Sequence, residues 1–354
     1  MRSDVLSDVI RKLARREDLS AEEAERAFLE VMEGRGTDAQ KAALLVGLRV
    51  KGETADEIAG GVRALRQAMI RVPVARADAA VDTCGTGGGG LTTFNISTGA
   101  AFVVAGGGVP VAKHGNRSFS SRCGSADVLE ALGIPIDLTP PQMADVLDRA
   151  GIAFLFAPAL HPAMRHLGPV RRELAIPTIL NRLGPLTNPA GVRRHLVGVA
   201  EPRLQRLIGD ALASLGHLRA LVVHGEPGMD ELSPLGVTEI VEVDGGRVRQ
   251  TRFDAPRALG WSDPREAELA GGDPAHNADV IERVLSGQLR GTARQAIALN
   301  AAAGFFVAGV VDSLEEGVQR AERVLDDGAA YGTLQTLREA SREAAGRRTA
   351  DASG

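Results

Sequence analysis

The sequence predicts an α/β protein in two parts. A small α-helical domain covers residues 1–72, and a large α/β domain with a central, mostly parallel sheet covers residues 73–345. Three observations lead there. As far as Met69 the apolar residues recur at helical spacing, with no strand-like stretch between them. Beyond "RVPVARADAA", short β-branched runs alternate with helical stretches, which is the grammar of parallel strands joined by crossover helices. A chain of 354 residues suffices for one large core or two smaller ones.

The elements follow in order. Leu6, Ile10 and Leu13 share one face of a first helix. Ser20 with Glu23 reads as a capping box opening a second, which runs through Ala27, Phe28 and Val31. Thr37 and Thr54 are placed to cap a third and a fourth. Then "AAVDTCG" is a short strand running into glycines, "ISTGAAFVVAGG" a helix and "VPVAKHG" the next strand. "IAFLFA", "HLVGVA", "RALVVHGE" and "TEIVEVDG" are further strands, with a helix from Pro202 to Leu215 among them. His161, Arg165, His166, Arg171 and Arg172 fall along one helical segment before a Pro-rich turn. Beyond Asn277 three or four helices follow, including the small-residue "ARQAIALNAAAGFFVAG", and "GRRTADASG" reads as a disordered tail.

Composition excludes several classes. A formal net charge of -4 gives no general attraction to nucleic acid or an anionic membrane. With 3% aromatic residues, one Trp and one Tyr, stacking platforms for bases are scarce. Cys84 and Cys123 make neither a disulfide framework nor a metal-site spacing. The opening "MRSDVLSDVIRKLARRE" is amphipathic and charged rather than signal-like, and no apolar run is long enough to span a bilayer. These features predict a cytoplasmic protein with neither nucleic-acid nor membrane partners.

The glycine run "GTGGGGLTTFNISTG" (85–99) formally fits G-x-G-x-x-G through Gly85, Gly87 and Gly90. A dinucleotide site wants an acidic residue after the second strand, and here that strand ends in Lys113, His114 and Arg117. Walker A fails as well, because Leu91 follows the last glycine. A broader anion-binding reading survives: loop amides near a helix N-terminus, with hydroxyls at Thr93, Ser97 and Thr98. The loop "KHGNRSFSSRCGSAD" adds cations plus Ser118, Ser120, Ser121 and Ser125. Two such loops at neighbouring strand ends suit a ligand with two separated phosphate groups. Asp230 and Glu231, adjacent in "HGEPGMDELSP", supply carboxylates of the kind that hold Mg²⁺ on a phosphate. Arg171 offers a bidentate partner for a carboxylate, whereas Arg165 and Arg172 read as a solvated helix face. His195, His217 and His276 carry no motif and read as structural or surface residues.

Taken together, "GTGG...TFNIST", "VAKHGNRSFSSRCGSADVLEALG", "HPAMRHLGPVRREL", "LNRLGPLTNPAG" and "GMDE" resemble the anthranilate phosphoribosyltransferase family, over nearly the whole chain. The resemblance implies a nucleoside-phosphorylase-type fold with the active site in a hinge cleft, and a homodimer joined through the helical domain, to which part of 165–190 belongs. It implies transfer of phosphoribose from 5-phosphoribosyl 1-diphosphate to the amine of anthranilate, in tryptophan biosynthesis. The diphosphate substrate would contact Gly85, Gly88, Gly89, Thr93, Asn95, Ile96, Ser97, Thr98, Lys113, His114, Gly115, Asn116, Arg117, Ser118, Phe119, Ser120, Ser121 and Ser125. Anthranilate would contact Gly85, Asn116 and Arg171, and two Mg²⁺ ions would be served by Ser97, Asp230 and Glu231. No residue is assigned as a catalytic acid or base, since an aniline nitrogen is already uncharged at neutral pH.

Three positions depart from the family pattern. Gly89 stands for Asp in G-T-G-G-D, Ala175 for Gly after "RREL", and Arg182 for an apolar residue before "LGPLTNP". Two rivals stay in view. A pyrimidine nucleoside phosphorylase would lack "KHGN" and the Arg171 segment. A non-catalytic nucleic-acid binder would need a strongly basic cleft.

Overall fold

The computed structural model describes residues 2–118 and 122–351. Four helices open the chain: α1 (Asp4–Ala14), α2 (Ala21–Met32), α3 (Asp38–Lys51) and α4 (Ala55–Ala68). Each begins where a hydroxyl satisfies an amide that the helix leaves unpaired. Ser3, Ser20, Thr37 and Thr54 accept from Leu6, Glu23, Gln40 and Glu57, and the last three are full capping boxes. Glu57 has a second task. Its fully buried carboxylate accepts from Leu19 N at 3.0 Å and faces Lys51 Nζ at 3.1 Å, tying α4 to the approach to α2 and to the end of α3. On α4, a Cβ at Gly60 would stand 2.8 Å from Ala24 Cβ, so α2 and α4 cross at a distance that glycine makes possible.

The α/β part runs β1 (Asp82–Gly85), α5 (Ile96–Gly106), β2 (Val111–Gly115), α6 (Ser125–Ala131), α7 (Pro140–Ala150) and β3 (Ile152–Phe156). Three short helices follow, α8 (Ala157–Leu160), α9 (Gly168–Leu174) and α10 (Leu180–Leu183), then β4 (Arg194–Gly198), α11 (Arg203–Ser214), β5 (Arg219–Gly225), β6 (Val237–Asp244) and β7 (Arg247–Asp254). The chain closes with α12 (Ala255–Leu259), α13 (Pro274–Leu285), α14 (Thr292–Ala308), α15 (Leu314–Asp326) and α16 (Ala329–Asp351). One sheet has the order β1-β4-β5-β6-β7, parallel from β1 to β5 and antiparallel beyond, and β2 and β3 form a separate parallel pair. The strands that lead into the site are thus parallel, as expected, and an antiparallel hairpin is added at the far edge.

That hairpin strand, β7, has no counterpart in the sequence reading. "RVRQTRFD" is mostly exposed and arginine-rich, so it lacks the apolar alternation that marks a strand. Its register is set by Gly245 and Gly246, whose φ values of 53° and 85° make a tight turn. Its charges discourage pairing with another edge.

Two further expectations are corrected. Residues 161–172 are not one helix: Pro158, Pro162 and Pro169 break the stretch into α8, a 3₁₀ turn (Pro162–His166) and α9. The final helix continues through Gly346 to Asp351, because Ala340 and Ala344 are buried and glycine weakens a helix without ending it. Among the described residues no helix is long and apolar enough to cross a membrane.

The cores explain the remaining composition. α14, nearly all small or apolar, is buried from Thr292 to Val307 apart from the half-buried Gln295, and packs against α5, where a Cβ at Gly99 would stand 2.6 Å from Ile297. A second cluster joins the opening helices to Leu167, Val170, Ile179, Leu180 and Leu183, and continues into Val197 and Val222 of the sheet.

Candidate active site

A cleft of about 910 Å³ opens where the opening helices, the chain from α8 to α10 and the carboxyl ends of β1 and β2 meet. That size suits a small-molecule substrate. Gly85 ends β1, and the glycine run is held down by Thr86 N donating to Gly198 O at 2.9 Å and Gly90 N to Gly228 O at 2.8 Å. The bare backbone has two causes. Gly87 and Gly88 take φ values of 68° and 83°. Gly85 and Gly89 instead make room for Asp230: a Cβ on either would lie 3.0 Å from one of its carboxylate oxygens.

The two candidate loops are neighbours, but their strands pair only at Val81 and Val111. Beyond that bridge side chains replace the ladder. Asp82 Oδ1 accepts from His114 N at 3.1 Å, while Asn188 Nδ2 donates to Asp82 Oδ2 at 2.7 Å and to Ala112 O at 2.8 Å. The strands therefore splay, and the cleft begins at the gap. Lys113 is buried there. Its Nζ donates to Thr83 O and lies 3.4 Å from Ser97 Oγ, and burial lowers its pKa despite the nearby Asp82 and Glu231.

Glu231 rather than a solvent anion meets the N-terminus of α5, accepting from Ser97 N at 3.1 Å. Burial, and then the adjacent Asp230, push the Glu231 carboxyl up to about 8, and burial raises Asp230 as well. Two buried carboxyls that resist ionisation are a donor set made for a divalent cation. Asp82, Cys84 and His195 place potential ligand atoms within 4.8 Å of one another beneath the cleft. Both Asp82 oxygens are already hydrogen-bonded and burial drives the Cys84 thiol pKa well above its ordinary value, so this group reads as scaffold. His195 and His217 are buried, as their structural reading requires, and His276 is exposed in the first turn of α13, its backbone N donating to the capping Asp273 Oδ1 at 2.8 Å.

Most of the expected site residues line this one cleft: Gly85, Gly88, Gly89, Thr93, Asn95, Ser97, Thr98, Lys113, His114, Gly115, Asn116, Arg117, Ser118, Ser125, Arg171, Asp230 and Glu231. Ile96 does not, being fully buried in the core behind α5. Arg117 reaches the rim, but its guanidinium is held on α6, 2.8 Å from Glu130 and 3.2 Å from Asp127, rather than facing the cleft as a free cation. Phe119, Ser120 and Ser121 lie outside the described residues. Arg171, half-buried on α9, makes no ion pair among the described residues, and burial lowers its pKa.

Other lining residues were not assigned to the site from the sequence. Arg165, read there as part of a solvated helix face, brings an exposed cation to the cleft, and so does Arg122, which was legible within "KHGNRSFSSRCGSAD". The His161 ring lies 5.1 Å from that of His114, tilted 51° to it, and burial holds the two imidazoles down at about 3 and about 4, so both are neutral. Asn277 and Gly272 complete the wall, and no local pattern marks them.

Comparisons with known proteins agree with this arrangement. A family model described as "Glycosyl transferase family, a/b domain" matches residues 77–331, and one described as "Glycosyl transferase family, helical bundle domain" matches residues 7–69. An anthranilate phosphoribosyltransferase of Rubrobacter xylanophilus is 50% identical, covering 97% of this chain and 99% of its own. A crystal structure of the Thermus thermophilus anthranilate phosphoribosyltransferase superposes with a TM-score of 0.89 at 44% identity, covering 95% of this chain and 99% of that one. The Saccharomyces cerevisiae protein, solved in complex with PRPP and Mg, gives a TM-score of 0.86 at 26% identity, covering 96% and 99%.

Proposed function

The chain belongs to the anthranilate phosphoribosyltransferase family, and from that premise we propose how its cleft transfers the phosphoribosyl group of 5-phosphoribosyl 1-diphosphate to the amine of anthranilate. The observation that carries the reading is the convergence of the glycine run, the Lys113–Ser118 loop, the Asp230–Glu231 pair and Arg171 on one cleft.

Amides of the glycine run and the hydroxyls of Thr93 and Ser97 receive the diphosphate, where Gly87 and Gly88 let the backbone come close. Lys113 lies behind them, its buried ammonium donating to Thr83 O and lying 3.4 Å from Ser97 Oγ, so that it adds positive charge beneath the phosphate site. Asp230, Glu231 and Ser97 would hold magnesium, two ions per chain in our reading, and a bound ion supplies charge neutralisation for the departing diphosphate. The donors Asp230 and Glu231 fit that task because burial raises the pKa of both carboxyls, and a bound cation would favour their ionised forms.

Asn116 and Arg171 orient anthranilate, with the Arg171 guanidinium placed to pair with its carboxylate. The neutral amine then attacks the ribose carbon as the C–O bond to the diphosphate breaks, and the cationic nitrogen so formed releases its proton to solvent. Catalysis rests on positioning and electrostatics, without an assigned acid or base. Neutral His114 and His161 wall the cleft without competing for the substrate's negative charges.

The division into a helical domain over 1–72 with part of 165–190, and a catalytic domain over 73–345, is supported by the shared packing of Leu167, Val170 and Leu183 with the opening helices. We place a homodimer contact on those helices, where Val50 is 67% exposed. A cytoplasmic setting accords with the composition.

The test follows the fluorescence of anthranilate with purified protein, Mg²⁺ and 5-phosphoribosyl 1-diphosphate. Signal should fall only with all components present. Replacing Asp230 and Glu231 with Ala should remove most turnover. Arg171→Ala should raise KM for anthranilate by roughly 10- to 100-fold, the loss of a charge-assisted pair, with little change for the diphosphate substrate. No substrate-dependent loss of fluorescence with the unaltered protein would overturn the reading.

A further inference from the structure

Asn277 lies in the first turn of α13, buried at the wall of the cleft. Its Oδ1 accepts from Gly272 N at 2.8 Å, and its Nδ2 donates to Asn95 Oδ1 at 2.9 Å. Asn95 Nδ2 in turn donates to Cys123 O at 3.2 Å. Three segments far apart in sequence are thereby joined: the stretch before α13, the start of α5 and the loop leading to Ser125.

The direction of this chain is fixed at one end. A backbone N–H can only donate, so the Gly272 amide dictates that Asn277 presents its oxygen there and its NH₂ to Asn95. Asn95 must then present oxygen to Asn277 and NH₂ to Cys123 O. Asn95 makes no side-chain capping bond to α5, the helix it precedes, so its amide is committed to this link. The segment supplying Gly272 is itself anchored on the glycine loop, since Gly271 N donates to Thr92 O and Phe94 N to Leu269 O, each at 3.0 Å.

We propose that Asn277 is a positioning residue for the diphosphate substrate: acting through Asn95, it holds the Thr92–Ser97 loop and the Cys123–Ser125 turn in register across the cleft. The proposal rests on the functional reading above, because it concerns how the two loops share one ligand.

Asn277→Asp reverses the direction of the link. The carboxylate still accepts from Gly272 N, but Asn95 must rotate to donate to it. Asn95 Oδ1 then meets Cys123 O, acceptor against acceptor, and the far link breaks. Asn277→Asp and Asn95→Ala should each raise KM for 5-phosphoribosyl 1-diphosphate by roughly five- to thirtyfold, the range of one buried hydrogen bond. KM for anthranilate should change less than twofold, and melting temperatures should stay close to that of the unaltered protein. The double variant should be no worse than Asn95→Ala, since both changes break the same link.

An unchanged KM in Asn277→Asp, a multiplicative effect in the double variant, or equal rises for both substrates would overturn the proposal. Turnover by the unaltered protein reads the functional assignment separately. Calorimetric titration of the same four proteins with inorganic diphosphate and Mg²⁺ reads the relay without turnover, and equal affinities across the four would likewise overturn it.

Discussion

Arg182 and Glu53 meet in a buried ion pair, Nη1 to Oε1 at 3.1 Å, with side chains 4% and 5% exposed. The pair joins the turn between α3 and α4 to α10, at the join between the opening helices and the cleft. Arg182 stands where the family pattern has an apolar residue, and the structure shows what it gained as a partner. Burial lowers the Arg182 pKa, with Glu53 opposing that effect. Removing one member leaves the other charged in a dry site. Glu53→Ala should therefore destabilise by roughly 3–5 kcal/mol, whereas Glu53→Leu with Arg182→Leu should be close to neutral. Denaturant melts of the single and double variants check this, and equal losses would show that the pair is not the relevant unit.

Ala175 occupies the left-handed region, φ 50° and ψ 29°, at the end of α9, where its amide donates to Arg171 O at 3.1 Å. For an L-residue this costs about 1–2 kcal/mol, of which glycine gives back part through its greater unfolded freedom. Ala175→Gly should stabilise by about 0.5–1 kcal/mol. Thermal unfolding should show a rise of roughly 1–3 °C. A fall in melting temperature would mean the turn is not strained.

Gly89 faces Asp230 without a positive φ, and an added Cβ would also lie 3.1 Å from Gly228 O. Gly89→Asp thus sets a third carboxylate beside Asp230 and Glu231. Repulsion among them, and toward the diphosphate when metal is scarce, should make turnover of the variant depend more steeply on Mg²⁺, whereas the native chain should tolerate high Mg²⁺ well. Mg²⁺ titrations at fixed substrate, with melting curves on both proteins, compare them. Superimposable profiles would show that position 89 does not govern metal use.

His161 is held neutral down to about pH 3 in the folded chain by burial and by His114, against an ordinary value of 6.5. The sign follows from linkage. A histidine whose folded pKa is depressed contributes stability that is fully present above pH 6.5 and is lost as pH falls toward 3, because the unfolded chain binds the proton first. His114, held at about 4, acts in the same direction. His161→Gln should flatten the loss of stability between pH 6.5 and 4, measured by denaturant melts across that window. An unchanged slope would assign the acid limb to other groups.

The sequence by itself determined the local structure. Ser20, Thr37 and Thr54 announce helix starts because a cap is made with residues three positions away. The β-branched runs announce β1 to β6, and the glycine run, the Lys113 loop, the Asp230–Glu231 pair and Arg171 were all legible as motifs. Tertiary structure decided how these parts are joined. Asn188 bridges Asp82 across 106 residues, Arg182 reaches Glu53 across 129 and Asn277 reaches Asn95 across 182. It turned Arg117 onto α6, buried Ile96 and brought His161 beside His114. The physical reason is one of range. Caps, turns and alternation are decided within a few residues along the chain, whereas a buried amide or charge takes whichever partner the packing of distant elements brings within about 3 Å, and no spacing in the sequence records that choice.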